Sequence, residues 1–148
     1  MARQGRDSQR FGTDGARLVA GCVPILNGKV VLICNRKNRN KWGLPKGGWE
    51  DDEPTACEAA LREAFEEAGV RCVPGASLAD TRVEPKAGAK KPVVQVYWFA
   101  CYVTELVEQW PEAAERDRQV VALDEALELV TRPEQRAALL EVWQHLEY

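Results

Sequence analysis

The chain has 148 residues, 45% of them hydrophobic and 29% charged, with 20 lysines and arginines against 23 aspartates and glutamates for a net charge of -3. That balance fits one globular domain, excludes a long disordered chain, and leaves no apolar run able to span a bilayer as a helix. A mildly acidic chain also lacks the basic field of a non-specific nucleic-acid binder, so small molecules are the expected partners.

Residues 1–15 are polar and without periodicity, and read as a flexible arm ahead of a single domain at 16–148. The runs RLVAGCVPIL and KVVLICN are β-branched and separated by Asn27-Gly28, which predicts a two-stranded hairpin. Arg36, Lys37, Arg39 and Lys41 then lead to Trp42 in a stretch too basic for a core, expected as a loop presenting cations. In GLPKGGWEDDEP, Gly47 and Gly48 are read as a sharp backbone turn. A helix is expected over 54–69, from a proline suited to the first turn to the stop at Gly69. SLADTRVE and PVVQVYWFACYVTEL read as strands around the basic loop Lys86 to Lys91, the second of them long and central. A short strand over Arg118 to Ala122 and helices over Asp124 to Val130 and Pro133 to Leu146 complete the pattern.

Five scattered cysteines form no Cys-x-x-Cys pair and no secretory pattern opens the chain, so a reduced compartment is expected, the cytoplasm or also the nucleus. Cys22 and Cys34 are read as a reduced buried pair on neighbouring strands. The one histidine, His145 in WQHLEY, is read as structural or merely exposed, which leaves neither a Cys/His zinc site nor a histidine triad. Chemistry must come from carboxylates, lysines and arginines.

At about 100° per residue, Glu63, Glu66 and Glu67 fall within an arc of about 100° on the predicted helix, opposite Leu61, Ala64, Phe65 and Ala68. Like charges so placed repel by a few tenths of a kcal/mol per pair, and only Arg62, four residues before Glu66, gives local relief. Glycine carbonyls beside carboxylates form a hard oxygen cage suited to magnesium or manganese, which in turn implies a phosphate-bearing substrate.

The run GLPKGGWEDDEPTACEAALREAFEEAGV resembles the signature of the Nudix hydrolases, Gly-x5-Glu-x7-Arg-Glu-hydrophobic-x-Glu-Glu-x-Gly-hydrophobic. From Arg62 to Val70 the match is complete; eight residues instead of seven separate Glu53 from Arg62, the added one lying in the loop and first helical turn. With ARLVAGCVPI and EQWPEAAERDRQVVALDEALELV, the chain further resembles the diphosphoinositol polyphosphate phosphohydrolases of the fungal type over roughly residues 16 to 145.

The resemblance implies an α/β fold, an α/β/α sandwich around a mixed sheet, and hydrolysis of phosphoanhydrides in diphosphoinositol polyphosphates, diadenosine polyphosphates and inorganic polyphosphate. It implies that Glu63 and Glu67 are the main metal ligands, that Gly47 offers its carbonyl, that Glu66 is both a candidate ligand and the favoured base, and that Arg62 orients the acids. Cations at the mouth of such a site are needed for a polyanion: Arg17, Arg36, Lys46 and Arg118 adjoin the resembling segments and are preferred over Lys37, Arg39, Lys41, Lys86, Lys90, Lys91 and Arg116, with Gly48 beside them. A nucleoside or dinucleoside polyphosphate hydrolase is the alternative, with Trp42, Trp49 or Tyr97 as a stacking platform. A non-catalytic polyphosphate- or RNA-binding module is the second alternative, disfavoured because it would not need three repelling carboxylates together.

Overall fold

A computed structural model describes residues 8–146 of the chain. Eight strands and three helices follow in order: β1 (Arg17–Leu26), β2 (Lys29–Cys34), β3 (Trp42–Gly43), β4 (Lys46–Gly48), α1 (Ala56–Ala68), β5 (Val70–Ser77), β6 (Thr81–Val83), β7 (Val94–Leu106), β8 (Arg118–Ala122), α2 (Leu123–Leu129) and α3 (Pro133–Leu146). The strands form one mixed sheet in the order β3-β2-β1-β7-β5, with β4 on β1, β6 on β7 and β8 on β2. β1 and β7 run parallel over nine residue pairs, from Arg17↔Val94 to Ile25↔Tyr102, and the other pairings are antiparallel.

The sheet is covered on both faces, and strict alternation sorts its residues. Val19, Val23, Val30, Leu32, Val96 and Trp98 meet Ala126 of α2 and Ala138, Leu139 and Val142 of α3. Ala20, Cys22, Val31, Ile33 and Cys101 meet Ala59, Ala60, Ala64 and Ala68 of α1. Burial on both sides is why β1 and β2 are nearly continuous apolar runs in the sequence. The result is the expected α/β/α sandwich.

The β1–β2 hairpin forms as its turn chemistry requires: Asn27 (φ 52°) and Gly28 (φ 78°) both take the left-handed region. Helix α1 starts later than expected. Thr55 is its N-cap, accepting the Glu58 N–H at 3.2 Å, so Pro54 precedes the cap instead of opening the first turn. At the other end Gly69 (φ 64°) donates to the Phe65 carbonyl at 3.0 Å. The inner face of α1 is made of alanines, while Leu61 and Phe65 stay only half-buried. Small side chains bring the helix close to the sheet.

Several expectations are corrected. Gly47 and Gly48 do not turn: they lie in β4, paired with Ala20 and Val19 of β1. Strand β5, unforeseen, follows α1 directly and forms a mostly exposed sheet edge containing Pro74 and Gly75. Cys22 does not face Cys34. Cys22 shares a sheet face with Val31 and Ile33, which puts Cys34 on the other face; Cys22 Sγ lies 3.1 Å from Cys101 Sγ while Cys34 Sγ accepts the Asp117 N–H, and all five cysteines are free thiols. Of the expected arm, residues 1–7 lie outside the described residues, whereas Gln9 is buried, bridges to Glu50 and donates to the Leu18 carbonyl at 2.8 Å.

Candidate active site

Strand β4 and helix α1 meet at the parallel β1–β7 pair, and their contact builds the site. Gly47 passes so near α1 that a Cβ there would lie 2.2 Å from the Glu63 carboxyl carbon; at Gly48 a Cβ would lie 2.2 Å from Gln9 Oε1. A side chain at either position would have to displace the end of Glu63 or of Gln9, so what the glycines provide is close approach and not an unusual backbone conformation. Their positions bring main-chain oxygens and the α1 acids together.

Arg62 is the hub of the acid cluster. Its Nε donates to Glu53 Oε2 at 2.7 Å and its Nη2 to Glu53 Oε1 at 3.0 Å, a bidentate pair, while Nη2 also reaches the Gly48 carbonyl at 2.8 Å. Nη1 donates to Glu63 at 2.9 Å and to Glu66 at 3.3 Å. Burial alone would lower the Arg62 pKa, but the bond to Glu53 and the charges of Glu63, Glu53 and Glu66 hold it well above the ordinary value. The guanidinium therefore stays charged. The extra residue between Glu53 and Arg62 does not displace Glu53, whose Oε1 also accepts the Glu50 N–H at 3.0 Å.

Glu63, Glu66 and Glu67 are all buried. Glu67 Oε1 accepts the Lys46 N–H at 3.0 Å, and its other oxygen lies 3.6 Å from Arg116 Nη2. Burial, reinforced by the Glu63 charge and opposed by Arg116, pushes the Glu67 carboxyl up to about 8. Burial also raises Glu63, with Arg62 opposing and Glu66 adding to the rise. Such acids are ionised comfortably only when further positive charge is nearby.

The acids line a cavity of about 380 Å³ that Arg17, Arg36, Lys46, Gly47, Gly48 and Arg62 also line. Arg17, at the first residue of β1, is aimed by a 2.9 Å bond from its Nε to Gln9 Oε1. Arg36 is half exposed and lies 3.6 Å from Glu115. Burial pushes the Lys46 ammonium below the ordinary lysine range, with Glu67 opposing the shift. Gly48 lines the wall, its carbonyl taken by Arg62.

Arg118 is not among these cations. Its Nη1 donates to the carbonyls of Ala68, Gly69 and Val107 at 3.0, 3.2 and 2.8 Å, and its guanidinium stacks 4.3 Å above the Trp110 ring. It clamps the carboxyl end of α1 to the loop before β8. Arg116 occupies the cavity wall in its place, bonded to Glu112 at 2.8 Å and to the Cys34 carbonyl at 3.1 Å. Glu50 also lines the cavity, and Glu112, whose N–H donates to the Glu66 carbonyl at 3.1 Å, is a fifth acid of it that sequence reasoning missed. It lies in an irregular loop with no periodicity, so only the EQWPEAAERDR segment as a whole pointed to it. Trp49 braces the loop before α1, donating to the Glu53 carbonyl at 2.9 Å beneath Arg10 and edge-on to Tyr97.

A NUDIX domain model matches residues 15–142. The chain belongs to the Nudix family. It is 37% identical to Nudix hydrolase 16, mitochondrial, of Arabidopsis thaliana, over 95% of this chain and 87% of the relative. It is 40% identical to Nudix hydrolase 21, chloroplastic, of the same plant, over 94% of this chain and 72% of that one. Among solved structures, a NUDIX hydrolase from Nitrosomonas europaea superposes with a TM-score of 0.71 at 15% identity, covering 88% of this chain and 89% of its own. The E. coli dihydroneopterin triphosphate pyrophosphohydrolase superposes with a TM-score of 0.67 at 17% identity, covering 84% and 92% respectively. These two likenesses concern the fold. As a Nudix hydrolase the protein is an enzyme acting on phosphorylated small molecules, and none of its described helices is long and apolar enough to cross a membrane.

Nudix hydrolases use divalent metals such as magnesium, and the donor set here fits a hard cation. Among the described residues the acids are not drawn into a ready-made cage: Glu63 and Glu66 lean on Arg62, and Glu67 on the Lys46 N–H. The charge balance at Glu67 itself would favour a cation: burial, with Glu63 and Glu112 beside it, raises this carboxyl to about 8, and a bound cation would shift it toward the ionised form. All available donors are carboxylate or carbonyl oxygens.

Proposed function

We propose that this Nudix hydrolase cleaves phosphoanhydride bonds of diphosphoinositol polyphosphates, and also of diadenosine polyphosphates and inorganic polyphosphate. The observation that carries the reading is that Arg17, Arg36, Lys46 and Arg116 share one cavity with Glu63, Glu66 and Glu67. In an acidic protein so many cations at one mouth suit a substrate with five or six negative charges or more. The resemblance of the flanking segments to the fungal-type diphosphoinositol polyphosphate phosphohydrolases supports the same substrate class.

Magnesium, or manganese, held by the Gly47 carbonyl with Glu63, Glu66 and Glu67, would supply stabilisation of developing phosphoryl charge and activation of water. The chain's own residues do the rest. Arg62, fixed by Glu53 and the Gly48 carbonyl, places Glu63 and Glu66 on the cavity wall. Glu66 takes the proton of the attacking water. Lys46, Arg17 and Arg36 hold phosphate oxygens, the arginines in a bidentate grip and the lysine as a point charge. Arg116, braced by Glu112, offsets charge beside Glu67. Hydrolysis then needs neither histidine nor cysteine, in keeping with His145 being exposed, 3.9 Å from Glu141.

A reading in which dinucleoside polyphosphates are the main substrates is favoured by one observation: Trp42 lines a lobe that adjoins Glu67 and Lys46. Phosphate release in magnesium, measured on a diphosphoinositol pentakisphosphate and on diadenosine hexaphosphate, separates the two. Faster turnover of the inositol compound is expected, and a strong preference for the dinucleotide would overturn that assignment. Free thiols suit the reducing cytoplasm or nucleus, whereas the names of the two Arabidopsis relatives carry mitochondrial and chloroplastic designations.

A further inference from the structure

Beside the carboxylate cavity lies a second lobe of about 490 Å³, and Lys46, Glu67 and Arg116 line both. Its walls are of two kinds. Trp42, Val94 and Val96 present apolar surface, while Lys41 and Arg132 bring positive charge. Between them stands Gln135, in the first turn of α3 and only 5% exposed.

The Gln135 amide has a single workable orientation. Its Oε1 accepts the Leu44 N–H at 2.9 Å, and Gly43 leaves room for that contact, since a Cβ there would come within 2.6 Å of the same oxygen and displace it. A flipped amide would set its NH2 against the Leu44 N–H, leaving two donors face to face. Nε2 is therefore turned the other way, with no acceptor for it among the described residues. The side chain is largely buried, yet Nε2 is not sealed off and opens onto the lobe that Gln135 lines, where water or a ligand oxygen can supply the acceptor.

We propose that the second lobe seats the half of the substrate that is not attacked, and that Gln135 is a specificity-determining residue that donates from Nε2 to an oxygen or ring-nitrogen acceptor on that half. The inference rests on the hydrolytic reading of the carboxylate cavity but not on which polyphosphate is preferred. The ligand chemistry is a ring with one apolar face, a hydrogen-bond acceptor on its edge and negative charge toward Lys41 and Arg132. A phosphorylated cyclitol and a nucleotide both meet that description.

The test compares wild type, Gln135→Glu and Gln135→Met on three substrates in magnesium: a diphosphoinositol pentakisphosphate, diadenosine hexaphosphate, and inorganic tripolyphosphate, which has no organic half. The glutamate keeps an acceptor for the Leu44 N–H and removes both donors. The methionine removes the donors without adding charge. For the two-ended substrate that wild type prefers, kcat/KM relative to tripolyphosphate should fall about tenfold in both variants, mainly through KM, as expected for one unmade hydrogen bond in a closed site. Which compound shows the loss tells cyclitol from nucleotide. An unchanged ratio in Gln135→Met, or equal losses on tripolyphosphate, would overturn the assignment and leave Gln135 as a support for Leu44 alone. If the methionine variant does not fold, raising the salt decides on the glutamate variant: loss of a hydrogen bond persists, whereas charge repulsion fades and would refute the proposal. Absence of wild-type turnover on all three substrates would overturn the hydrolytic reading itself, and this inference with it.

Discussion

Glu66 and Glu67 are neighbours on one helix with separate tasks. Glu66 shares Arg62 with Glu63 and faces the cavity, so its proposed work is to accept a proton; a base in this role contributes about 10² to 10⁴ in rate. Glu66→Gln should depress kcat at least about a hundredfold with little change in KM, and excess magnesium should not restore it. Rescue by magnesium in a steady-state titration would make Glu66 chiefly a ligand and move the base to another carboxylate. Arg118 is a contrasting case, since its charge is spent on three carbonyls and the Trp110 ring. Arg118→Met should cost about 2 kcal/mol of stability, the scale of hydrogen bonds to a charged group, and leave KM for a polyphosphate within about twofold. Denaturant melts and a KM measurement check both parts; a large KM rise would return Arg118 to the substrate set.

At the scale of elements, the motif depends on β4 lying flat against α1. Gly47→Ala would drive a Cβ into the Glu63 carboxylate, 2.2 Å from its carbon. Overpacking of this kind costs roughly 1 to 3 kcal/mol, and the variant should lose most of its hydrolysis while keeping a cooperative melt at a lower temperature. Wild-type turnover would show that β4 and α1 can separate freely. The elements also differ in how readable they are. The β1–β2 hairpin and α1 declare themselves through Asn27-Gly28, the run of helix formers after Pro54 and the stop at Gly69, whereas the Thr55 cap and the alanine inner face emerge only in the fold. Strands β3 and β4 are two and three residues long and have no periodicity to find; sheet pairing with β2 and β1 alone defines them. Strand β5 carries Pro74 and Gly75 at an exposed edge, where strand propensity is weak. Glu63, Glu66 and Glu67 were legible because helix spacing gathers them, and Arg62 because it is part of the motif. Glu112 and Gln135 were not, for each reaches its lobe from an element distant in sequence.

For the whole molecule, buried acids couple folding to pH and to cations. Glu67 in the folded protein is held at about 8 against 4.5 for an ordinary glutamate, so the folded state binds the proton more tightly than the unfolded one. Its favourable contribution is present in full below pH 4.5 and is lost as pH rises through about 8. Thermal melts in a chelator should therefore fall across that window, and magnesium should recover most of the loss at the alkaline end, because a cation binds the ionised acid. Melts that rise with pH in chelator would contradict the charge balance described for the site. Glu67→Gln should flatten the slope, since the amide keeps the volume and loses the titration. The same variant tests the central claim, that the carboxylate face of α1 is a metal-dependent hydrolytic centre. The decisive measurement is its turnover of a diphosphoinositol pentakisphosphate, or of diadenosine hexaphosphate if wild type prefers it, at saturating magnesium. A folded Glu67→Gln protein with hydrolysis reduced at least about a thousandfold is the predicted result, and turnover within a few fold of wild type would contradict the account.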